Sequence, residues 1–270
     1  MTDLRAPRSG AQALNPLFLS TAIEAVVRAG DLQMAKFGRG IRVDKKGLID
    51  LVTEVDVEVE HMLRRLIAER FPDHDVLAEE LGDAGARGAR HRWVFDPLDG
   101  TTNFAHGVPI FCASLALEID GVAAVAAVYD PNRRELFTAE AGEGSWMNGE
   151  RLAVSRNTQV IESMLVTGFP YTVHQEAETF LAVFGKVLKH ARAVRRLGSA
   201  AIDMCWVAAG RMDGFWEASP KPWDTRAAAL ILEEAGGKVT GMDGKKWIPD
   251  DGHILATNGL IHDELLKIIS

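Results

Sequence analysis

The chain has 270 residues, of which 47% are hydrophobic and 25% are charged, close to the average for soluble globular proteins. At this length most of the unfolded chain's surface can be buried, so the fold requires neither disulfides nor a structural metal. The 38 acidic and 30 basic residues give a net charge of −8, which argues against a nucleic-acid coat or a polybasic membrane binder. An anionic substrate is still compatible with this charge, because bound metal ions can reverse the field of a site.

The two cysteines, Cys112 and Cys205, each lie in an apolar run and are predicted to be buried free thiols. This pattern excludes a disulfide-rich secreted scaffold and fits a reducing cytosol. The first residues lack the apolar stretch of a signal peptide. The longest apolar run, at 121–129, is far shorter than a bilayer span. We therefore expect a cytoplasmic protein with no membrane association.

Residues 1–14 are predicted to form a loose tail, followed by an amphipathic helix at 16–37 that Gly38 and Gly40 end. A second helix is predicted to begin near Thr53, because Thr53 and Asp56 have the spacing of a capping box. Short strands are predicted next at 75–78 and 91–95. Turn residues separate three further β-rich runs, which predict an antiparallel meander at 111–119, 122–129 and 135–139.

The rest of the chain alternates between the two kinds of element. Strands are predicted at 164–168, 214–217, 238–240 and 254–257. Helices are predicted at 176–190, 199–209, 223–235 and from 261. Interleaved strands and helices indicate a layered, mixed α/β protein. A boundary near 151–158 divides it into parts 1–150 and 151–270, which we expect to form one compact catalytic unit.

The strongest chemical motif is the segment 93–104, WVFDPLDGTTNF. An apolar strand leads to Asp96, Pro97 breaks it, and Asp99 follows three residues later beside Gly100. The residues from Gly100 resemble a helix start, whose free N–H groups can bind a phosphate. Two carboxylates beside such a group suit Mg²⁺, which prefers oxygen ligands. The alternative interpretation is an ordinary Asp-Gly turn with a helix cap.

Three other segments place acids where strands end or helices begin. Glu79 and Glu80 follow an apolar strand, and only one of the two is expected to point inward. Asp56 and Asp224 each lie in a first helical turn, where an acid also interacts favourably with the helix dipole. Each segment has an ordinary explanation as a cap or a solvated acid, but four such coincidences in one chain are much less common.

The spacing of these residues disfavours several other sites. The glycines and lysines at 241–246 do not match a phosphate-binding P-loop, and Asp96 and Asp99 do not match a calcium-binding EF-hand. The interval of three between the two aspartates also differs from the interval of two in haloacid-dehalogenase phosphatases. The histidines lack zinc-ligand spacing, and no serine-hydrolase motif occurs.

Together these motifs resemble the inositol monophosphatase family of Mg²⁺-dependent, lithium-sensitive phosphomonoesterases, in its bacterial SuhB-like branch. The resemblance covers nearly the whole chain, and it is most specific at 93–104, in LVTEVD at 51–56, in AEE at 78–80 and in WD at 223–224. It implies alternating helix and sheet layers of the inositol monophosphatase and fructose-1,6-bisphosphatase type. It also implies two to three Mg²⁺ ions per site and a homodimer.

The resemblance also implies roles for individual residues. The first metal ion would be bound by Glu79, Asp96 and the main-chain carbonyl of Leu98. The second would be bound by Asp96, Asp99 and Asp224, and Glu79 would help to hold a weaker third.

Asp56 and Thr101 would orient and deprotonate the attacking water. The phosphate would lie at Asp99, Gly100, Thr101 and Thr102, and the alcohol would contact Gly198, Ser199, Ala200 and Glu217. A hydroxyl such as that of Thr101 can accept a hydrogen bond from water while it donates to Asp56.

The expected activity is hydrolysis of inositol monophosphate, a small phosphate monoester. Thr102 and Asn103 favour this substrate by resemblance only. Two prolines and a lysine at 218–222 leave the choice of alcohol open, so histidinol phosphate, fructose 1,6-bisphosphate and 3′-phosphoadenosine nucleotides are alternatives. A different class of function is a regulatory binding protein with secondary phosphatase activity, whose partner would be an RNA or polymerase complex. The net charge argues against direct nucleic-acid binding.

Overall fold

The structure is a computed structural model that describes residues 14–84, 88–249 and 252–270. Most of the predicted N-terminal tail therefore lies outside the described residues. Helices and sheets alternate in five layers, which confirms the predicted layered α/β fold. The helices of the described chain are α1 (Pro16–Lys36), α2 (Glu54–Arg70), α3 (Thr101–Ala105), α4 (Ala177–Leu188), α5 (Ala200–Ala208), α6 (Pro222–Glu234) and α7 (His262–Ile269).

The described strands fall into a two-stranded hairpin and two larger sheets. The hairpin pairs β1 (Val43–Lys45) with β2 (Leu51–Thr53). The strands of the first large sheet are β3 (Asp75–Ala78), β4 (Gly82–Ala84), β5 (His91–Asp99), β6 (Cys112–Ile119), β7 (Val122–Asp130), β8 (Glu135–Glu140), β9 (Gly144–Met147) and β10 (Glu150–Arg151). Those of the second are β11 (Met164–Thr167), β12 (Ala193–Arg195), β13 (Gly214–Glu217), β14 (Lys238–Thr240) and β15 (Ile254–Thr257).

Local sequence explains where the first two helices begin. The Asn15 side chain accepts a hydrogen bond from the Leu17 N–H at 3.0 Å, and Pro16 occupies the first turn, where its missing N–H costs nothing. At α2, Thr53 and Asp56 form the predicted capping box. This cap matters for the site, because it fixes the position of the Asp56 side chain.

The eight-stranded sheet has the order β10-β9-β8-β7-β6-β5-β3-β4. Strands β6 to β8 form the predicted antiparallel meander. β5 pairs antiparallel to β6, whereas β3 pairs parallel to β5. Because β3 and β5 run in the same direction and Ala78 pairs with Phe95, the next residues, Glu79 and Asp96, lie side by side. The five-stranded sheet has the order β12-β11-β13-β15-β14, with β11 and β13 parallel.

Three apolar clusters hold the layers together. The first packs α1 and α2 on the outer face of the eight-stranded sheet and includes Trp93. The second lies around α5 and α6 between the two large sheets and includes Ile202 and Phe215. The third packs α4 and α7 on the far side of the five-stranded sheet. Both cysteines are buried and free, as predicted. No helix of the described chain is long and apolar enough to cross a membrane.

Candidate active site

The site is built on an irregularity at the end of β5. The strand continues to Asp99 instead of ending at residue 95, and its pairing with β6 shifts between Asp96 and Asp99. Asp96 pairs with Ser114 and Asp99 with Cys112, two positions that share a face of β6. This bulge places two aspartates three residues apart on the same face, whereas a regular strand would place them on opposite faces.

Gln33 stabilises this bulge from the last turn of α1. Its side chain is fully buried, and its amide donates hydrogen bonds to the Pro97 carbonyl at 2.8 Å and the Cys112 carbonyl at 3.3 Å. Sequence reasoning missed Gln33, because one glutamine on an apolar helix face does not indicate its partner. Its amide provides donors for carbonyls at the irregular part of the ladder.

Gly100 makes the transition from β5 to α3. Its φ of +97° lies in the left-handed region, and a Cβ atom there would come within 2.8 Å of the Ile110 carbonyl oxygen. Glycine alone satisfies both conditions without strain. The predicted helix start is therefore confirmed as α3, a helix of about one and a half turns whose first residue is the buried Thr101.

Asp56 and Thr101 come together although 45 residues separate them. The Thr101 hydroxyl lies 3.1 Å from Asp56 Oδ1 and 2.9 Å from the Leu98 carbonyl oxygen. Asp56 Oδ2 accepts from the Thr53 N–H at 2.9 Å and from the Thr53 hydroxyl at 2.5 Å. Burial raises the pKa of Asp56 to about 6, against the opposing effect of these Thr53 bonds. The Asp56 carboxylate is thus held in one orientation, and its pKa lies close to neutral pH.

Asp99 joins the motif to the second half of the chain. Its Oδ2 accepts from the Ser199 hydroxyl and from the Ala201 N–H, both at 2.7 Å, at the N-terminal end of α5. Burial raises the pKa of Asp99 to about 6, although these hydrogen bonds lower it. The Asn103 amide donates to the Leu197 carbonyl at 2.8 Å, so the loop before α5 packs against α3.

The loop that contains Gly198, Ser199 and Ala200, which were predicted to bind substrate, therefore lies beside Asp99. Ser199 is buried, whereas Thr102 is exposed on α3. The Asn103–Leu197 hydrogen bond places the main chain of this loop against α3.

Glu79 and Glu80 share one lysine. Lys46 Nζ, from the hairpin loop, lies 2.5 Å from Glu79 Oε1 and 2.9 Å from Glu80 Oε1. Their side chains are only 14% and 6% exposed, so the expectation that one of the two points to solvent is wrong. Lys46 was not predicted, because a lysine pair in a loop does not indicate which acids it will meet.

The remaining acids interact across the site. Burial raises the pKa of Asp96 well above its ordinary value, and the charges of Glu79, Asp99 and Asp224 raise it further. Burial also raises the pKa of Asp224 well above its ordinary value, and the charges of Asp99 and Glu79 raise it further. Its Oδ2 accepts a hydrogen bond from the Lys221 N–H at 2.7 Å. Burial, followed by the charge of Asp99, raises the pKa of Glu217 to about 8. These carboxylates repel one another in a buried region, which is the condition that a bound cation relieves.

The donors present are carboxylate and carbonyl oxygens, the ligands that suit Mg²⁺. Among residues 14–84, 88–249 and 252–270, no three carboxylate, imidazole or thiol side chains are already arranged to ligate one ion. Lys46 holds Glu79, while Ser199 and Ala201 hold one oxygen of Asp99. The donor chemistry therefore fits a divalent cation, although Lys46 is the present partner of Glu79.

The sequence model of the inositol monophosphatase family matches residues 16–270. This chain belongs to the inositol monophosphatase family. Membership makes it an inositol-phosphate phosphatase, an enzyme that hydrolyses phosphoric monoesters. The predicted resemblance and fold type are thereby confirmed.

Individual relatives agree with this assignment. The chain is 40% identical over 259 residues to the putative Nus factor SuhB of Neisseria meningitidis serogroup B, covering 95% of this chain and 99% of that one. The solved inositol monophosphatase of Anabaena (Nostoc) sp. PCC 7120 is 41% identical, with a TM-score of 0.86 over 94% of this chain and 95% of that one. A solved IMPase/NADP phosphatase complexed with Mg²⁺ and phosphate is 26% identical, with a TM-score of 0.78 over 90% of each chain.

Proposed function

We propose that this enzyme hydrolyses inositol monophosphate to inositol and phosphate in a Mg²⁺-dependent reaction with a directly attacking water. The observation that carries the proposal is the hydrogen-bonded group of Asp56, Thr101 and the Leu98 carbonyl beside the two aspartates of the β5 bulge. The Thr101 hydroxyl lies between the Asp56 carboxylate, whose pKa is raised, and oxygen donors of the kind that bind metal ions. A hydroxyl in this position is suited to activating water.

The proposed metal ligands are oxygen donors, several of which are carboxylates whose charges interact. Glu79, Asp96 and the Leu98 carbonyl would hold one ion, and Asp96, Asp99 and Asp224 would hold another. Glu79 would also contribute to a weaker third. When bound, Mg²⁺ would neutralise charge on the phosphoryl oxygens and lower the pKa of the attacking water. The mutual repulsion of Asp96, Asp99 and Asp224 supports this assignment.

Asp56 and Thr101 carry the proposed proton transfer. The Thr101 hydroxyl donates to Asp56 Oδ1 and accepts from the attacking water, so the water's proton can pass through Thr101 to the carboxylate. With a pKa of about 6, Asp56 is mostly ionised at pH 7 and still basic enough to accept that proton. The water oxygen bonds to phosphorus as the bond to the alcohol oxygen breaks, and that oxygen takes a proton from solvent.

The two ends of the substrate would meet different parts of the chain. We assign the phosphate to Asp99, Thr102 and the N–H groups of Gly100 and Thr101. We assign the alcohol to the main chain at Gly198, Ser199 and Ala200 and to the Glu217 side chain. The Asn103 contact that packs the two backbone segments together supports this arrangement.

The decisive experiment is phosphate release from purified protein with Mg²⁺ or with excess EDTA. The panel contains inositol 1-phosphate, histidinol phosphate, fructose 1,6-bisphosphate and 3′-phosphoadenosine 5′-phosphate. We expect Mg²⁺-dependent turnover with a preference for inositol 1-phosphate. Turnover that persists in EDTA would contradict the metal dependence, and preference for another ester would reassign the alcohol.

A second candidate function is a regulatory binding role, with phosphatase activity secondary. The relative from Neisseria meningitidis is named a putative Nus factor, which favours testing a transcription-related partner. Affinity purification that recovers a stoichiometric partner would support this role. Absence of turnover on every ester, with Mg²⁺ binding demonstrated, would favour it over catalysis.

We further propose a cytoplasmic homodimer that Li⁺ inhibits, in which parts 1–150 and 151–270 act as one catalytic unit. The interaction of Asp96 with Asp224 across the two parts supports the last point. Light scattering tests the dimer, and phosphate release in LiCl tests the inhibition.

A further inference from the structure

Glu217 lies at the end of β13, beside the end of β11. The two strands run parallel with Thr167 opposite Trp216, and the Thr167 hydroxyl donates to the Trp216 carbonyl at 2.7 Å. The next residues along the two strands are Gly168 and Glu217. This pairing places a residue without a side chain next to the acid that we assign to the substrate alcohol.

The space at Gly168 is filled by the Glu217 carboxyl group. A Cβ atom on Gly168 would overlap Cδ and both carboxyl oxygens of Glu217, and these are its nearest neighbours. The φ angle of Gly168 lies outside the left-handed region, so its backbone conformation is open to alanine. The requirement for glycine therefore comes from the carboxyl group and not from the backbone.

We propose that Gly168 is a positioning residue. By having no side chain, it leaves the space in which the Glu217 carboxyl group lies against the substrate alcohol, and it so contributes to substrate selectivity. The proposal rests on the proposed function, because it assumes that Glu217 contacts that alcohol. Glu217 is the flexible partner in the overlap, so an alanine at 168 displaces its carboxyl group while the sheet is retained. The phosphate end of the site, built on β5 and α3, lies on other elements.

The test compares Gly168→Ala with wild type on inositol 1-phosphate and on phenyl phosphate, which lacks alcohol hydroxyls. We expect the ratio of the two kcat/KM values to fall about 2- to 10-fold, the effect of losing one hydrogen bond. Gly185→Ala is the matched control, because a Cβ at Gly185 in α4 meets no atom within 4 Å. The control should leave the ratio unchanged.

A double-mutant cycle distinguishes positioning from a general structural role. In a Glu217→Ala background, Gly168→Ala should have no further effect on the ratio, because its target is gone. An additional loss of similar size in that background would overturn the proposal.

A crystal structure of Gly168→Ala supplies a readout that is independent of activity. Displacement of the Glu217 carboxyl group is expected, and an unmoved carboxyl group would overturn the proposal. Wild-type protein that fails to hydrolyse inositol 1-phosphate would instead refute the proposed function, so the two failures are distinguishable.

Discussion

Removal of divalent cations should make the stability of this protein fall as the pH rises. Asp56 and Asp99 are buried, and burial raises the pKa of each from 3.8 to about 6. A raised pKa means that the folded state binds the proton more tightly than the unfolded state does. The resulting stabilisation is complete below pH 3.8, where both states are protonated, and is lost as the pH rises through about 6.

The size of the effect follows from the two pKa values. A change from 3.8 to about 6 corresponds to ~3 kcal/mol for each carboxyl group, or ~6 kcal/mol for the pair. Domains are stable by about 5–15 kcal/mol in total, so this is a large fraction. At pH 5 each group lies about one unit below its folded-state pKa, so ~1.4 kcal/mol per group, or ~3 kcal/mol for the pair, is lost between pH 5 and pH 8. With about 2–4 °C per kcal/mol for a chain of this size, the unfolding midpoint in chelator should be ~5–10 °C lower at pH 8 than at pH 5.

The assay is thermal unfolding followed by circular dichroism from pH 5 to pH 8, in EDTA and in excess MgCl₂. Bound Mg²⁺ should raise the midpoint most at pH 8, because it neutralises the ionised carboxylates. Asp99→Asn should reduce the pH dependence in EDTA, whereas the exposed-site control Asp243→Asn should not. A midpoint in EDTA that is constant or rises from pH 5 to pH 8 would refute the reasoning.

Three further predictions concern single residues of the site. Thr101→Val should lower kcat/KM for phosphate release about 100- to 1,000-fold, because it removes the proton-transfer hydroxyl, while Thr101→Ser should stay within about tenfold of wild type. Equal losses in both variants would contradict the role of the hydroxyl. Gly100→Ala should lower the free energy of unfolding by about 1–3 kcal/mol in urea titrations, more than Gly38→Ala, which shares a positive φ but has no neighbour within 4 Å. Equal destabilisation would show that the Ile110 carbonyl is not the cause. Lys46→Met should lower the Mg²⁺ concentration for half-maximal thermal stabilisation several-fold, because the ammonium group and the cation compete for Glu79. The exposed Lys45→Met is its control, and an unchanged or higher requirement in Lys46→Met would argue against competition.

Much of the fold could be predicted from short stretches of sequence. The helix at α1, the capping box at α2 and the strands at β3, β13, β14 and β15 all agree with the predictions. The hairpin of β1 and β2 was not predicted, nor were β4, β9, β10 and β12. These strands are two to four residues long, and β1 is fully exposed, so they lack the apolar alternation that identifies a strand.

The sequence by itself determined which acids and turns this protein has and which elements carry them. A helix cap, an apolar period or an Asp-Pro turn depends on a few adjacent residues and can be identified without the fold. Only the tertiary structure decided which of these groups meet. The bulge that aligns Asp96 with Asp99 depends on pairing with β6, and the bond between Asp99 and Ser199 joins residues 100 positions apart. The pairings of Lys46 with Glu79 and of Gly168 with Glu217 depend in the same way on strand register and layer packing, which no local pattern encodes.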